Sequence, residues 1–400
     1  MPVLLAFQFG SFTVARLVFL IVVLKVCAMS AADSSLSFAD ALIAWQRRCG
    51  RHDLPWQRDA DPYRVWVSEI MLQQTQVVTV IPYFERFMQR FPTVQALAEA
   101  PLDEVLGLWS GLGYYARGRN LHKAAQQLMR EFGGQFPADQ PQLMTLPGIG
   151  RSTAAAIAAF CFGQKTAICD GNVRRVLARY AGIEGYYGEA AVGERFWVLA
   201  EALLPAQSVD IYTQAIMDLG ATVCTRSKPR CGVCPVQREC VALREDRVSE
   251  LPTPKPRKAL PERTSRILLA HDGPWVLLER RPAEGLWGGL WSLPEIPGDL
   301  DAAAFATCLP GLRLASVQAA YRDAAHPSPQ GQEAEALVGL RHTFSHFHVF
   351  LEPWRVAVSR VPGCAEAGPL VWVAAYELAE APLPAPVRRI LQEQWLPQCA

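Results

Sequence analysis

Residues 146–157 read LPGIGRSTAAAI, and the interpretation of the rest of the chain starts from this stretch. Gly148 and Gly150 permit a tight turn whose backbone N–H groups point outward. The helix predicted from Ser152 to Phe160 begins directly behind that turn, so its dipole favours an anion there. A Gly-x-Gly pair alone is usually only a turn. Placed between two helical segments, it predicts a site that binds phosphate without side-chain charge.

Amphipathic helical runs continue on both sides of this turn, with glycine and proline between them. The predicted helices cover residues 38–48, 64–90, 102–109, 116–131, 152–162, 172–181, 191–204 and 209–221. Further along, the pattern changes to short β-type runs at 266–270, 275–279, 337–350, 354–358 and 370–373. The sequence therefore predicts a multidomain α plus α/β fold, with an all-α core followed by a small α+β domain.

Composition limits the classes of protein to consider. Of 400 residues, 50% are hydrophobic and 19% are charged, which excludes a disordered chain. Lys and Arg number 39 and Asp and Glu 38, so nucleic-acid binding has to rest on local patches. Residues 249–262 read SELPTPKPRKALPE, and the prolines favour an extended linker. We expect a helical domain at 31–248, this linker, and a second domain at 263–395.

The first thirty residues are unlike the rest. Residues 17–24 are all apolar, but a membrane span needs about 20 such residues. We expect Met29 to be the true start, with targeting or membrane anchoring as the alternative. Residues 1–30 are therefore left out of the fold interpretation, and no membrane association is expected.

Four cysteines lie close together in the sequence, with the spacing C-x6-C-x2-C-x5-C. Four thiolates at this spacing can surround one metal centre, and both zinc and a [4Fe–4S] cluster accept such ligation. Free thiols or two disulfides are the alternative. Basic residues between the cysteines are suited to DNA phosphates. We expect a structural centre held by Cys224, Cys231, Cys234 and Cys240.

Two carboxylates lie in sequence surroundings suited to catalysis. Glu69 is followed by no charged residue until Glu85, so we expect burial to raise its pKa, as a general acid requires. A helix-surface glutamate is the plainer interpretation. Asp170 precedes Gly-Asn and a helical run, which is typical of a helix N-cap. A protonated Glu69 beside an ionised Asp170 would supply the acid and the anion that glycosidic bond cleavage needs.

Taken together, these pieces resemble the MutY-type adenine DNA glycosylases of the endonuclease III, or helix–hairpin–helix, superfamily. The similarity runs from about residue 36 to the C-terminus. The matching stretches are LPWQ (54–57), PYRVWVSEIMLQQTQV (62–77), GLGYYARGRNL (111–121), LPGIGRSTAAAI (146–157), DGNVRRVLAR (170–179), the four cysteines, GLWGGLW (285–291) and RHTFSHFH (341–348).

The resemblance implies a fold and a function. The fold would be a helical glycosylase core with an iron–sulfur loop at 224–240, followed by a Nudix-like domain. The enzyme would be a monomeric, cytoplasmic and nucleoid-associated DNA repair glycosylase with one [4Fe–4S] cluster. It would flip adenine out of duplex DNA and excise it from pairs with 8-oxoguanine or guanine.

The resemblance also implies roles for individual residues. Glu69 would be the catalytic acid and Asp170 the stabiliser of the cationic sugar, with Asn172 beside it. Gln74 and Tyr114 would enter the base stack, and the loop with Ser345 would sense 8-oxoguanine. The expected DNA contacts are Gln73, Gln74, Thr75, Leu112, Tyr114, Gly148, Gly150, Ser152, Phe344, Ser345 and His346.

One departure separates this chain from the endonuclease III branch. That branch carries a Schiff-base lysine at the position of Ser152, so we expect a monofunctional glycosylase with weak strand cleavage. A bifunctional glycosylase and lyase is the first alternative. A Nudix pyrophosphatase is the second, but the residues after Gly285 lack its carboxylate cluster for magnesium. A non-catalytic DNA-binding module is the third. A metal site at His342, His346 and His348 is not favoured, because strand spacing spreads these side chains.

Overall fold

The computed structural model describes residues 36–256, 259–282, 285–296, 335–344, 346–358 and 369–398. The predictions for residues 1–30, for Ser345, and for two basic linker residues, Arg257 and Lys258, lie outside the described residues.

The predicted helices are present with changed bounds in places, except that the run over 64–90 forms two helices. In chain order they are α1 (Phe38–Cys49), α2 (Pro62–Leu72), α3 (Val77–Arg90), α4 (Val94–Glu99), α5 (Leu102–Trp109), α6 (Ala116–Phe132), α7 (Gln140–Leu143), α8 (Arg151–Phe162), α9 (Gly171–Ala181), α10 (Ala190–Ala202), α11 (Val209–Asp218), α12 (Val241–Arg244) and α13 (Ala385–Gln394). The strands are β1 (Glu262–Asp272), β2 (Trp275–Arg280), β3 (Trp291–Ser292), β4 (Glu335–Ala336), β5 (Leu340–Thr343), β6 (His348–Ala357) and β7 (Leu370–Ala374).

The chain divides into two compact units. The first joins the residues up to Arg51 with Cys169–Thr253, and so holds α1 and α9 to α12. The second joins His52–Ile168 with Pro254–Ala400, and so holds α2 to α8, the strands and α13. The predicted domain bounds at 248 and 263 differ from this division and stay a prediction.

A buried carboxylate organises the first unit. Asp218, the last residue of α11, is fully buried and accepts hydrogen bonds from the backbone N–H of Arg51 (2.8 Å), its Nε (2.9 Å) and Gln46 Nε2 (3.1 Å). These bonds compensate the loss of hydration of a buried charge. The predicted helix 209–221 does not stay α-helical to its end, because a π-helical turn, Leu219–Val223, follows Asp218 and leads into Cys224.

Aromatic side chains fill the core of the helical part of the second unit. Trp66, Phe84, Phe87 and Trp109 are fully buried there, and Phe87 meets Trp109 edge-to-face. The prediction of one helix over 64–90 is wrong. The chain breaks between α2 and α3, where Gln74 has φ 60°, a left-handed conformation that a helix cannot contain.

The sheet of the second unit is mixed. Its order is β3–β2–β1–β6–β4, while β5 also pairs with β6 and β7 with β2. Strands β1 and β6 are parallel from Glu262 and His348 to His271 and Ala357, and the other pairs are antiparallel. The prediction of one strand run over 337–350 is wrong, because β5 ends at Thr343 and β6 begins at His348. Helix α13 buries Val387, Ile390 and Leu391 in the same core as the sheet.

Within the second unit, the sheet domain contacts the loop that follows α5. Arg388 of α13 donates to Ser110 Oγ at 3.1 Å, and Tyr115 Oη donates to the Leu383 carbonyl at 3.1 Å. Arg280 and Asp103 form an ion pair at 2.6 Å. The loop at 110–115 is therefore held by the sheet domain on one side.

Candidate functional site

Asp170 lies at the N-cap of α9, as the sequence predicts. Its Oδ1 accepts the backbone N–H of Val173 at 2.7 Å. Burial raises the pKa of this carboxyl above its usual value, and the Val173 and Asn172 N–H groups and the guanidinium groups of Arg174 and Arg175 oppose that shift. The Asp170 anion is therefore poorly hydrated but still supported by donors and positive charge.

Asn172 is fixed in place by Arg175. Arg175 NH2 donates to Asn172 Oδ1 at 2.7 Å and to the Gly220 carbonyl at 2.6 Å, and its Nε donates to the Cys224 carbonyl at 2.7 Å. A Cβ on Gly220 would lie 2.7 Å from the Asn172 Cβ, so only glycine lets the π turn lie this close. One guanidinium thus connects the start of α9 with the first of the four cysteines.

The four cysteines line one cavity, together with Arg179, Val223, Pro229, Gln237, Leu243 and Val248. Burial raises the pKa of the Cys234 thiol to about 12, and the charges of the other three cysteines act in the same direction. Among the described residues, no group of three His, Cys, Asp or Glu meets the geometry of a single-ion site. The donor set of four sulfur atoms around a shared space fits a metal group that takes four thiolates.

Arg179 supports the cysteine loop rather than Asp170. It is buried, and it donates from NH1 to Cys224 Sγ at 3.4 Å and to the Thr225 carbonyl at 2.8 Å. Its Nε donates to the Leu251 carbonyl at 2.8 Å. Arg179 therefore serves the cysteine loop and not Asp170, since the helical register turns its side chain to the other face of α9.

Arg174 lies beside Asp170 and stacks on an aromatic ring. Its guanidinium carbon is 3.7 Å from the centroid of the exposed Tyr187 ring, and its Nε donates to the Asp170 carbonyl at 3.1 Å. The stack holds the cation in one position.

Glu69 lies in the last turn of α2 and is half-buried. The residues on either side, Ser68 and Ile70, are buried. The Glu69 charge contributes to the raised pKa of the half-buried Cys161 thiol on α8, although burial is the larger cause. Glu69 belongs to the second unit and Asp170 to the first, so their pairing stays a prediction.

The two loops expected to enter the base stack lie together in the second unit. Gln74 and Tyr114 are exposed, and both have left-handed backbones, with φ of 60° and 48°. Leu112 is buried, while Gln73 and Thr75 are half-buried. The buried Arg117 joins the two loops, since it donates to the Gln73 and Gly113 carbonyls.

Residues 146–150 form a tight turn, as predicted, in which the Ile149 N–H donates to the Leu146 carbonyl at 3.1 Å. Gly148 has φ 81°, and a Cβ there would lie 2.9 Å from the Asn120 Cβ, so the turn requires glycine. Gly150 is the N-cap of α8 and contributes no side-chain cap. Ser152 is half-buried in the first turn of α8. Gln73 Nε2 donates to Thr153 Oγ1 at 3.4 Å, which connects this helix with the first of the two loops.

The turn between β5 and β6 carries an aromatic cluster. Phe344 stacks on Phe347 with ring centroids 4.7 Å apart, and His342 meets Phe344 edge-on at 4.7 Å. His346 is exposed and its ring is 4.7 Å from that of Phe347. Planar rings at a turn between strands can stack on a nucleobase.

Sequence reasoning missed Arg117 as a site residue and left the targets of Arg175 open. A buried arginine looks like an exposed one in a helical pattern, so the sequence carries no signal for Arg117. For Arg175, the glycine at position 220 is the sequence signal of a close approach.

Two family comparisons match separate parts of the chain. Residues 67–202 match the HhH-GPD superfamily of base excision DNA repair proteins, and residues 266–393 match the NUDIX domain.

Comparisons with whole proteins cover between about half and nine tenths of the chain. An adenine DNA glycosylase from Buchnera aphidicola subsp. Schizaphis graminum is 34% identical over 358 residues, which are 89% of this chain and 98% of that protein. An adenine DNA glycosylase from Rattus norvegicus is 40% identical over 313 residues, which are 65% of this chain and 60% of that protein. The structure of a thermostable thymine-DNA glycosylase, 28% identical, covers 52% of this chain and 95% of its own with a TM-score of 0.48.

Proposed function

The chain belongs to the adenine DNA glycosylases, enzymes of base excision repair, and on that premise we propose that it excises adenine paired with 8-oxoguanine or guanine in duplex DNA. The proposed partner base is supported by the aromatic cluster at 342–347. This cluster lies in the domain that matches the NUDIX family. Phe344, Ser345 and His346 would read the partner base by stacking and hydrogen bonding.

The chemistry divides between two carboxyl groups. Glu69 would donate its proton to a ring nitrogen of adenine, so that the C1′–N9 bond breaks and its electron pair leaves with the neutral base. The Asp170 carboxylate would stabilise the oxocarbenium charge on the sugar until the oxygen of water adds to C1′ and the released proton returns to the Glu69 carboxylate. Asn172 would assist beside Asp170, because Arg175 holds its Oδ1 and thereby fixes the direction of the amide.

DNA binding would use the loops of the second unit. Gln74 and Tyr114 would fill the space that the flipped base leaves, with Gln73, Thr75 and Leu112 behind them. Gly148, Gly150 and Ser152 would bind a phosphate at the N-terminus of α8. Ser152 carries no amine, so the abasic product would be cut only by alkali.

The cofactor would be one [4Fe–4S] cluster. Cys224, Cys231, Cys234 and Cys240 would hold it, and its role would be to order the loop at 224–240, whose basic residues would meet DNA phosphates. A monomeric state and a cytoplasmic, nucleoid-associated location also remain predictions. Among the residues that the structure describes, no helix has the length and apolar character needed to cross a membrane.

The partner-base assignment is tested with the full chain on duplexes that carry adenine opposite 8-oxoguanine, guanine or thymine. We expect release of adenine from the first two, with strand breaks only after alkali. Phe344→Ala is expected to lower the preference for 8-oxoguanine over guanine about tenfold, since base stacking contributes about 1–3 kcal/mol. Tyr376→Ala, an exposed aromatic residue of the same domain, is the matched control. An unchanged preference in the Phe344 variant would contradict the assignment.

The cluster is tested by iron and sulfide analysis and by visible absorption of the purified chain. Arg179→Gln removes donors to Cys224 Sγ and to the Thr225 carbonyl, so we expect less iron per chain and a lower melting temperature. Arg130→Gln, on the exposed surface of α6, should change neither. Zinc in place of iron in the unmodified chain would overturn the cofactor assignment.

A further inference from the structure

Arg117 is a buried cation whose partners are backbone carbonyls. It lies in the first turn of α6 and is 8% exposed. Its NH1 donates to the Ile70 and Met71 carbonyls, at 2.9 and 2.8 Å, and to the Gln73 carbonyl. These oxygens form the C-terminal end of α2, where the unpaired carbonyls of a helix accumulate negative charge.

The other arm of the same guanidinium reaches the second loop. Its NH2 donates to the Leu112 and Gly113 carbonyls, both at 3.1 Å, and to Thr75 Oγ1 at 3.2 Å. The Tyr114 ring lies beside it, with 5.6 Å from the guanidinium carbon to the ring centroid. One planar group therefore contacts both loops.

The two contacted peptide groups hold equivalent positions. The Gln73 carbonyl belongs to the peptide just before Gln74, and the Gly113 carbonyl to the peptide just before Tyr114. Gln74 and Tyr114 are the two residues of these loops with left-handed backbones and side chains other than hydrogen. Such a backbone is strained and persists only where neighbouring contacts impose it. Arg117 supplies such a contact to both.

The chemistry of arginine suits this task. Burial lowers the pKa of Arg117 only to about 10, so the group is cationic at neutral pH. A guanidinium places its donors in a planar fork that can bond two loops at once, whereas a lysine ammonium is a compact point charge with three donors.

We propose that Arg117 is a positioning residue that locks the two left-handed turns into one unit, so that Gln74 and Tyr114 enter the base stack together. This inference rests on the proposed role of Gln74 and Tyr114 in DNA binding. Arg117 itself contacts neither substrate nor reacting atoms in this scheme. Because of Arg117, the entry of Gln74 into the base stack depends on that of Tyr114, and the reverse.

The test is a double-mutant cycle in the full chain. Gln74→Ala, Tyr114→Ala and the double variant are made with Arg117 present, with Arg117→Lys and with Arg117→Gln. Two quantities are measured at saturating enzyme. One is the single-turnover rate of adenine release, corrected for active fraction by active-site titration. The other is the fluorescence of 2-aminopurine in place of the target adenine, which reports unstacking of the base.

With Arg117 present, each single variant is expected to lose about tenfold in rate, because unstacking costs a few kcal/mol. The double variant should lose little more than either single variant, since the two side chains act as a unit. In the Arg117→Lys and Arg117→Gln chains the two losses should multiply instead. Arg64→Gln is the matched control, because the half-buried Arg64 also donates to a backbone carbonyl, that of Pro55, and lies over the Phe84 ring. It should leave the coupling unchanged.

The outcomes separate the two hypotheses. If Gln74→Ala and Tyr114→Ala both leave rate and fluorescence unchanged, the proposed DNA-binding role of these residues is wrong. If each lowers the rate but the losses already multiply in the unmodified background, the Arg117 inference alone is overturned. Undiminished coupling between Gln74 and Tyr114 in the Arg117→Lys chain also overturns the inference. Because Arg117→Lys keeps the buried charge, it serves as the test variant if Arg117→Gln fails to fold.

Discussion

Asp170 lies at the N-terminus of a helix and Glu69 lies near the C-terminus of another. The two kinds of helix end differ in whether they stabilise a negative charge. Asp170 precedes α9, where backbone N–H groups point toward its oxygens and two arginine side chains add positive charge. Glu69 lies one turn before the end of α2, where the backbone presents carbonyl oxygens, and Arg117 binds those oxygens. The local backbone therefore supports an anion at Asp170 and does not support one at Glu69.

This difference agrees with the proposed division of work between the two groups. The group that needs a proton lies near a helix C-terminus, whose carbonyl oxygens do not stabilise an anion, and the group that needs a charge lies at a helix N-terminus, whose N–H groups do. Burial nevertheless raises the pKa of Asp170. An ionised Asp170 would be poorly hydrated, and it would interact more strongly with a developing positive charge than a well hydrated anion would.

The largest effect is expected from Glu69→Gln. The amide keeps the size of the side chain but has no acidic proton to give, so adenine release should fall roughly 10²- to 10⁴-fold. Single-turnover release at saturating enzyme measures the rate, and a duplex-binding titration shows that affinity is retained. Glu85→Gln on the exposed face of α3 is the control. Release at the unmodified rate would show that the proton comes from elsewhere.

Asp170→Asn is expected to lower the rate roughly 10²- to 10³-fold while the fold is retained. The asparagine oxygen can still accept the Val173 N–H, so the helix cap is kept. A carboxyl whose pKa is higher in the folded than in the unfolded chain disfavours folding once pH exceeds its unfolded value. Removing the charge should therefore leave the melting temperature at pH 7.5 unchanged or raise it.

Asp139→Asn, at the exposed N-cap of α7, is the matched substitution. It should change neither the rate nor the melting temperature by much. A marked drop in melting temperature for Asp170→Asn would mean that the charge, and not only the cap, holds α9 in place. The donors around Asp170 would then serve to stabilise the fold, and the difference from Glu69 would not be evidence for a catalytic anion.

The pattern of apolar and polar residues predicted much of the fold, because many of the helices and strands show the periodicity typical of their type. Helix α5 has the predicted bounds, and α9 and β2 differ from theirs by one residue. The break after α2 was missed because QQTQ contains neither glycine nor proline, and its left-handed turn depends on Arg117, more than forty residues further along. The turn between β5 and β6 was missed because its aromatic residues favour strands.

The candidate site was predictable to a similar extent. The N-cap position of Asp170 follows from the local sequence DGN, while the roles of the site residues come from the family resemblance. The targets of Arg175 and Arg179 could not be predicted, because they lie on residues 220–225 and 251, distant in sequence. Periodicity gives the face of a helix that a side chain occupies but not what packs against that face.

The smallest effect on the rate is expected from replacing Arg174. This substitution tests whether nearby positive charge supports the Asp170 anion. Its charge lowers the pKa of Asp170, so Arg174→Met should raise that pKa further and move the acid limb of the rate profile to higher pH. The ratio of variant to unmodified rate should fall as the pH is lowered along the acid limb, because more Asp170 is protonated in the variant than in the unmodified chain. Arg195→Met, an exposed arginine on α10, removes the same charge and should give a flat ratio. A ratio that is independent of pH in both variants would mean that the acid limb does not report Asp170, and that the support of its anion by nearby cations has no part in the rate.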